Sequence, residues 1–315
     1  MKNLGIDLGG INIAAAVVDE EGHILARGRV STPRGGEAVA SAMAEAARQA
    51  VENAHLSLDE IDSIGVGSPG TIDPEHGVVV LWSNLDFHHV PLADMVAERL
   101  GRPVLLENDA NAAALGEYAA GAGKGSSSMV AITLGTGVGG GAVLDGKLYT
   151  GFNYAGLEVG HFVIEHGGRL CTCGRRGCFE TYASASAIIK RARERMEGNR
   201  ESLLWQLAGG DLAKVEARTV FDAAGQNDVL ARELVEEYED YLACGIVSLI
   251  NIFQPEIVCV GGGVAGAGET LLAPVRAILD REDYARDNSA RTKLILAKLG
   301  NDAGIIGAAM LKNFR

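Results

Sequence analysis

The sequence lacks a long apolar run and an excess of basic residues, and each shortage excludes a class of protein. No apolar stretch reaches the roughly 20 residues that a membrane-spanning helix needs. The 315 residues contain 28 Lys and Arg against 41 Asp and Glu, a formal net charge of −13. Because nucleic acid binding depends on neutralising phosphates with Lys and Arg, we expect no nucleic acid partner. The first predicted strand has no basic, apolar leader before it, so we expect a cytoplasmic protein.

Cysteine is also scarce, yet three of the five cysteines lie within eight residues. Cys171, Cys173 and Cys178 have the spacing C-x-C-x4-C among several glycines, and His161 lies ten residues upstream. Three thiolates and one imidazole form the closed, tetrahedral shell of a structural zinc site. A disulfide or plain buried thiols are the alternatives, and a chain that is otherwise poor in cysteine disfavours a disulfide. We therefore predict one structural Zn²⁺ bound by these four residues.

The length and the 47% hydrophobic composition predict a protein of two α/β domains. A glycine- and serine-rich stretch, 121–128, reads as a boundary between them. We predict a smaller lobe over 1–120, to which a C-terminal helix at 304–315 returns. The larger lobe is predicted over 121–303 and contains the cysteine cluster.

A strand, a glycine turn and a second strand occur twice, at a constant offset of 126 residues. Leu8-Gly9 corresponds to Leu134-Gly135, and Asp19 corresponds to Asp145. Glycine backbone amides, unobstructed by a Cβ atom, are suited to contact phosphate oxygens. Ordinary tight hairpins are the alternative. The repetition predicts two similar lobes, each with a phosphate-binding turn.

A third glycine run follows a predicted strand that ends near Val260. Gly261, Gly262 and Gly263 come directly after this strand. Bare backbone at a strand end allows a flat base and a ribose to lie against it. We predict that these glycines support the adenosine of a nucleotide.

Seven motifs, in this order along nearly the whole chain, resemble the ROK family: DLGG, SPGTID, ENDANAAALGE, LGTGVGGG, LEVGH, CTCGRRGCFE and VGGGV. That family includes bacterial glucokinases, other hexose and N-acetylhexosamine kinases, and sugar-responsive repressors. The resemblance implies an actin- and hexokinase-like fold, with two RNase H-like α/β lobes and a cleft between them that binds ATP and sugar.

The resemblance implies that Asp109 is the catalytic base, which takes a proton from a sugar hydroxyl as that oxygen attacks the γ-phosphorus. A hydroxyl group needs such a positioned carboxylate, although a helix N-cap fits the place of Asp109 equally well. The remaining implied sugar-binding residues are Gly70, Asn84, Asn108, Glu158, His161 and Glu180.

For the nucleotide, Asp7 resembles the acidic residue that orients Mg²⁺ and its waters. The phosphates would be contacted from the first turn by Gly9 and Gly10, and from the second by Gly135, Thr136 and Gly137. The family usually reads DxGGTK, whereas this chain has Ile11 and Asn12. Isoleucine removes a side-chain donor worth about 0.5 to 1.5 kcal/mol, so we expect weaker contact with the phosphates there.

Two functions of different class fit these motifs. We predict an ATP-dependent kinase that phosphorylates the 6-hydroxyl of D-glucose. N-acetylglucosamine, N-acetylmannosamine, mannose, fructose and allose are alternative substrates, and a non-catalytic sugar-responsive regulator is the alternative class. The regulators of this family resemble a kinase preceded by a winged-helix domain, whereas the first strand here begins by Leu4. We also expect a homodimer or homotetramer.

Overall fold

A computed structural model of the protein describes residues 1–314, which form thirteen β-strands and ten α-helices. The strands are β1 (Lys2–Leu8), β2 (Asn12–Asp19), β3 (Ile24–Ser31), β4 (Ser63–Ser68), β5 (Thr71–Asp73), β6 (Val78–Trp82), β7 (Phe87–Val90), β8 (Val104–Asn108), β9 (Met129–Leu134), β10 (Val138–Leu144), β11 (Lys147–Tyr149), β12 (Ile257–Gly261) and β13 (Lys293–Leu296). The helices are α1 (Gly36–Asn53), α2 (Leu92–Leu100), α3 (Asp109–Ala120), α4 (Glu180–Ala183), α5 (Ala185–Met196), α6 (Leu203–Leu207), α7 (Ala217–Gly225), α8 (Val229–Phe253), α9 (Glu269–Glu282) and α10 (Ala303–Met310).

Two five-stranded sheets have the same strand order. The first runs β3-β2-β1-β4-β8 and the second β11-β10-β9-β12-β13. In the first sheet, β2 pairs antiparallel with β1 and β3, while β4 pairs parallel with β1 and β8. In the second, β10 pairs antiparallel with β11, and β12 pairs parallel with β13. This shared order is the RNase H-like arrangement predicted for both lobes.

The predicted repeat is present in the structure. β1 ends at Leu8 and β2 begins at Asn12, whereas β9 ends at Leu134 and β10 begins at Val138. Both ends therefore obey the predicted offset, since 8 + 126 = 134 and 12 + 126 = 138. Each hairpin turn consists of the three residues between these strands.

The chain divides into two compact units. Unit 1 contains Met1–Ala131, Gly141–Leu157 and the described residues from Ala297 onward, and unit 2 contains Ile132–Gly140 and Glu158–Leu296. The lobe boundaries predicted from sequence, at 120/121 and 303/304, are a separate division of the chain and stay a prediction.

Helix α10 packs tightly inside unit 1 because glycines on its neighbours leave room for its backbone. A Cβ atom on Gly5 of β1 would lie 2.0 Å from the Ile305 carbonyl oxygen, and one on Gly65 of β4 would lie 2.0 Å from that of Ala308. Against α3 the closest approach is at Gly307, where a Cβ atom would lie 1.7 Å from the Ala112 carbonyl oxygen. The small-residue sequence of α10 thus allows contact at backbone distance with two strands and with α3.

Candidate active site

The proposed base lies where β8 meets α3 in unit 1. Asn108, not Asp109, is the N-cap of α3, because its Oδ1 accepts hydrogen bonds from the N–H groups of Ala110 and Asn111. The alternative of Asp109 as the N-cap is therefore wrong, because Asp109 is the first residue within the helix. Its Oδ1 accepts a hydrogen bond of 2.9 Å from Ala110 N–H. The Asp109 carboxylate is therefore not needed as the cap of α3.

The carboxylates of Asp7 and Asp109 influence each other. Burial raises the pKa of Asp109 above its ordinary value, although hydrogen bonds from Ala110 and Asn108 oppose the shift. Burial, and then the negative charge of Asp109, raise the pKa of Asp7 to about 6. No donor among the described residues reaches the Asp7 carboxylate. An unpartnered carboxylate beside a glycine turn fits the oxygen ligands that Mg²⁺ prefers, directly or through water.

The first glycine turn, residues 9–11, leaves two amides free. Gly9 N–H donates to the Asn12 carbonyl oxygen at 3.0 Å and closes the turn. Within residues 1–314, the N–H groups of Gly10 and Ile11 have no protein acceptor. A Cβ atom on Gly10 would meet nothing within 4 Å, and the Ile11 side chain is 80% exposed. The turn can therefore bring two N–H donors to an anion such as phosphate.

The second turn, residues 135–137, repeats this arrangement in unit 2. Gly135 N–H donates to the Gly137 carbonyl oxygen at 3.0 Å, and the N–H groups of Thr136 and Gly137 have no acceptor among the described residues. Glu180 lies directly beneath the turn, since its Oε2 accepts from Val138 N–H at 3.1 Å. A Cβ atom on Gly137 would lie 2.1 Å from that same oxygen, so a larger residue there would displace the Glu180 carboxylate.

Three predicted site residues share one cavity in unit 2. Thr136, Gly137 and Glu180 line a cavity of about 500 Å³. Its other walls come from residues near the cysteine cluster, such as Leu170 and Thr172, and from α5. Of the cations among the described lining residues, only Lys190, on α5, forms no ion pair. The phosphate turn and the carboxylate predicted to bind sugar are therefore neighbours within unit 2.

The third glycine run forms part of another cavity in unit 2. β12 ends at Gly261, and Gly262 has φ +86° with its Cβ position only 2.6 Å from the Leu134 backbone. Gly263 lies on the wall of a cavity of about 730 Å³. The opposite wall comes from α7 and its C-cap, which the sequence reasoning missed: Arg218, Phe221, Asp222, Gly225 and Gln226. These residues show no motif, so their role depends on where α7 packs.

The residues predicted to bind sugar lie in both units. In unit 1, Asn108 Nδ2 donates to the Gly70 carbonyl oxygen at 3.2 Å, and Gly70 has φ +98° with its Cβ position 2.3 Å from the Leu81 carbonyl oxygen. Asn84 is exposed in a short 3₁₀ turn, Ser83–Leu85. In unit 2, Glu158 is exposed immediately before another 3₁₀ turn, Val159–His161, which ends at His161.

The four predicted zinc ligands converge in unit 2. The ligand atoms of His161, Cys171, Cys173 and Cys178 all lie within 4.8 Å of one another. Cys171 Sγ lies 3.6 Å from His161 Nδ1, and Cys173 Sγ lies 3.7 Å from Cys178 Sγ. A tetrahedral zinc ion with Zn–S bonds of about 2.3 Å sets its sulfur ligands about 3.8 Å apart. The cluster therefore has the dimensions of a tetrahedral metal site, and its cysteines form no disulfide.

The surroundings of the cluster shift the pKa values of its cysteines, and one of the cysteines contacts Glu180. Burial, followed by the neighbouring thiols, raises the pKa of Cys178 to about 12, whereas the Arg175 N–H lowers the pKa of Cys173. Cys171 Sγ donates to Glu180 Oε1 at 3.8 Å. Glu180 thus lies between the metal cluster and the second phosphate turn, two residues after Cys178, so a metal held there would order the segment that positions Glu180.

Comparison with known proteins decides the family. A sequence model of the ROK family matches residues 3–314. The chain belongs to the ROK family. Among ROK proteins, the glucokinase of Thermotoga maritima is 42% identical over 315 residues, covering 99% of this chain and 97% of that protein. The glucokinase of Streptomyces coelicolor is 38% identical over 310 residues, covering 98% and 96%.

A solved ROK structure agrees with the fold described above. The ROK glucokinase from Streptomyces griseus, in complex with glucose and AMPPNP, matches with a TM-score of 0.81, at 38% identity and 99% coverage of both chains. The family and the hexokinase-like α/β fold predicted from sequence are thereby confirmed. Among the described residues, no helix is long and apolar enough to cross a membrane.

Proposed function

We propose that the protein is an ATP-dependent hexose kinase, and specifically a glucokinase that phosphorylates the 6-hydroxyl of D-glucose. Full-length similarity to proteins named glucokinase supports the reaction and the sugar. The observation that carries the mechanism is the state of Asp109. Its neighbour Asn108 caps the helix, so the Asp109 carboxylate is not needed as the cap, and its raised pKa makes it a stronger base.

In the proposed reaction, Asp109 accepts the proton of the sugar hydroxyl while the hydroxyl oxygen forms a bond to the γ-phosphorus. The bond between that phosphorus and the bridging oxygen of ADP breaks, and ADP leaves with the electron pair. Free amides of the two glycine turns, 9–11 and 135–137, stabilise charge on the phosphates. Asp7 would orient Mg²⁺ and its waters, and this ion would neutralise phosphate charge when bound with ATP.

The adenosine is proposed to occupy the 730 Å³ cavity beside Gly261, Gly262 and Gly263, with α7 as the opposite wall. The sugar hydroxyls are proposed to bind Gly70, Asn84, Asn108, Glu158, His161 and Glu180. Carboxylates and amides suit this task, because a site built for hydroxyls strongly disfavours an analogue that lacks one. An N-acetyl group would instead need a partly apolar recess near the sugar 2-position. The sequence indicates no such recess, and we therefore favour glucose.

We further propose that the four-residue cluster binds one structural Zn²⁺, since the sulfur spacing fits a tetrahedral ion and no ligand position remains for substrate. A cytoplasmic location and a homodimer or homotetramer stay predictions from sequence. A sugar-responsive regulator is the second candidate function, and the presence or absence of turnover separates the two.

The test is ADP release from ATP over a panel of hexoses and N-acetylhexosamines, with the phosphorylated position read by NMR. We expect glucose to give the highest kcat/KM and phosphate at the 6-position. A preference of about ten-fold or more for an acetylated sugar, equal to about 1.4 kcal/mol, would replace glucose while leaving the kinase in place. Sugar binding without any turnover would instead support the regulator.

The matched variant for this assay is Asp109→Asn, which keeps the shape of the side chain but cannot accept a proton. We expect turnover to fall by at least about 100-fold while calorimetry finds glucose affinity little changed. Near wild-type turnover of the folded variant would contradict the role of Asp109 as base.

A further inference from the structure

The two phosphate turns share a feature that lies outside either hairpin. In the first turn, the Gly9 carbonyl oxygen accepts a hydrogen bond of 2.7 Å from Thr32 Oγ1. In the second, the Gly135 carbonyl oxygen accepts one of 2.8 Å from Ala185 N–H at the start of α5. Gly9 and Gly135 are equivalent in the repeat, since 9 + 126 = 135. The same carbonyl is therefore held in both turns by an external donor.

Holding this carbonyl also sets the direction of an amide. In a planar trans peptide, the C=O group of one residue and the N–H group of the next point in opposite directions. When Thr32 holds the Gly9 carbonyl, the Gly10 N–H must point away from Thr32. Gly10 N–H is one of the two amides without an acceptor in residues 1–314, and a Cβ atom at Gly10 would meet nothing within 4 Å.

Little else fixes this peptide in the first turn. Gly9 and Gly10 both lack the Cβ atom that would narrow their backbone angles, so their side chains do not fix the plane of the peptide between them. Thr32 supplies a second bond, because its own N–H donates to the Ile11 carbonyl oxygen at 2.9 Å. One residue, immediately after β3, therefore binds the carbonyls on both sides of the exposed part of the turn.

We propose that Thr32 is a positioning residue for the phosphate donor: its hydroxyl orients the Gly9–Gly10 peptide so that the Gly10 amide faces the nucleotide phosphates. The proposal rests on the proposed nucleotide-binding role of this turn. Ile11 has no side-chain donor for the phosphates. In this proposal Thr32 contributes indirectly, because it directs the Gly10 N–H group towards them. Thr32 does not touch the reacting atoms, and acts only through the backbone of the turn.

The test uses titration of the full chain with Mg-AMPPNP, and steady-state kinetics with ATP and glucose, for wild type, Thr32→Val and Thr32→Ser. Valine keeps the shape but removes the hydroxyl. We expect Thr32→Val to bind AMPPNP about three- to ten-fold more weakly and to raise the KM for ATP by a similar factor. The KM for glucose should stay near the wild-type value, and Thr32→Ser should restore nucleotide affinity.

Thr292→Val is the matched control. Thr292 Oγ1 donates to the Pro255 carbonyl oxygen at 2.7 Å, the same type and length of bond at a partly buried threonine that lies in no glycine turn. We expect this variant to lose stability comparably to Thr32→Val but to keep its nucleotide affinity. Equal loss of nucleotide affinity in both valine variants would show that the Thr32 hydrogen bond supports only the stability of the fold, which would overturn the proposal.

Unchanged AMPPNP binding by Thr32→Val, or failure of Thr32→Ser to restore it, would also overturn the proposal. The binding comparison needs no sugar, so it separates this proposal from the proposed function. A wild-type protein that binds AMPPNP but phosphorylates no hexose refutes the kinase, and the Thr32 variants then still decide the role of the turn. A wild-type protein that binds no AMPPNP overturns both.

Discussion

At the scale of single residues, the most informative feature is the pair of carboxylates in unit 1. Asp7 has a pKa raised to about 6, first by burial and then by the charge of Asp109. Near neutral pH Asp7 is therefore mostly ionised, in spite of its repulsion from Asp109. The repulsion within this pair destabilises the protein when no cation is bound, and it favours the binding of a cation. The arrangement that suits cation binding therefore lowers the stability of the free protein.

The sign of the pH effect follows from this shift. A carboxyl group whose pKa rises from 3.8 to about 6 on folding stabilises the fold at low pH, and that contribution is lost as the pH rises through about 6. We therefore expect Asp7→Asn, in metal-free buffer, to be about 1 to 3 kcal/mol more stable than wild type near pH 7.5. The advantage should shrink towards pH 4, while Mg-AMPPNP binding is weakened. Urea unfolding at several pH values measures both trends.

Asp287→Asn is the control for this comparison, because Asp287 is exposed and the substitution removes the same charge from the surface. We expect it to change stability little at any pH. A stability difference for Asp7→Asn that does not vary with pH would mean that the pKa of Asp7 is ordinary in solution.

The separate roles of Asn108 and Asp109 show why local sequence could locate the site without resolving it. ENDANAAA placed an amide and a carboxylate at a helix start, and either side chain could cap a helix. Only the backbone geometry shows that Asn108 forms the cap. Thr32 was missed for a related reason, since it lies 23 residues from Gly9 and meets it only when β3 pairs with β2.

At the scale of elements, the loop that carries the cysteine cluster, residues 165–178, has little apolar content of its own. Glycines with positive φ shape it, and at Gly177 (φ +83°) a Cβ atom would lie 1.7 Å from the Glu165 carbonyl oxygen. Its fold should therefore depend on the metal, as in other small metal-bound segments. Because Glu180 contacts Cys171, loss of the metal should reach the proposed sugar and phosphate contacts.

We expect elemental analysis to find one zinc per chain, and Cys173→Ala to lose most of it. Cys173 is the exposed member of the cluster, so its removal leaves little cavity and tests the metal more than the packing. Glucose affinity should fall together with zinc content. Cys244→Ala, at an exposed cysteine on α8, is the control and should keep its zinc. Full zinc content in Cys173→Ala would show that the ligand set is wrong.

Helix α10 is the second element with a direct consequence for the site, because it contacts α3, which carries Asp109. A Cβ atom on Gly307 would lie 1.7 Å from the Ala112 carbonyl oxygen, so α3 and α10 must separate to accept it. We expect Gly307→Ala to lower the free energy of unfolding by about 1 to 3 kcal/mol, and so the melting temperature by several degrees. We also expect it to reduce kcat. Gly198→Ala, where a Cβ atom meets nothing within 4 Å, should be neutral. A Gly307→Ala variant with wild-type stability and kcat would contradict this packing.

At the scale of the whole molecule, the feature predicted best from sequence was the strand–turn–strand hairpin that occurs twice in the chain. The β1–β2 hairpin and its copy at an offset of 126 residues follow from alternating apolar strands around glycine turns, and the structure has both at the predicted positions. The cavity wall from α7 could not be predicted, because Arg218 and Gln226 look like ordinary surface residues until the chain packs. Contacts between distant segments are what a single sequence leaves unspecified.

The composition of unit 1 from separate stretches has a consequence for the order in which the protein is made. A ribosome releases β1, β4 and α3 long before α10, which fills the space above Gly5, Gly65 and Gly116. Until then the nascent chain exposes an apolar surface built to receive a helix. The helix that carries Asp109 thus gains its final support only after α10 has emerged, so a chain interrupted before α10 cannot become an active enzyme.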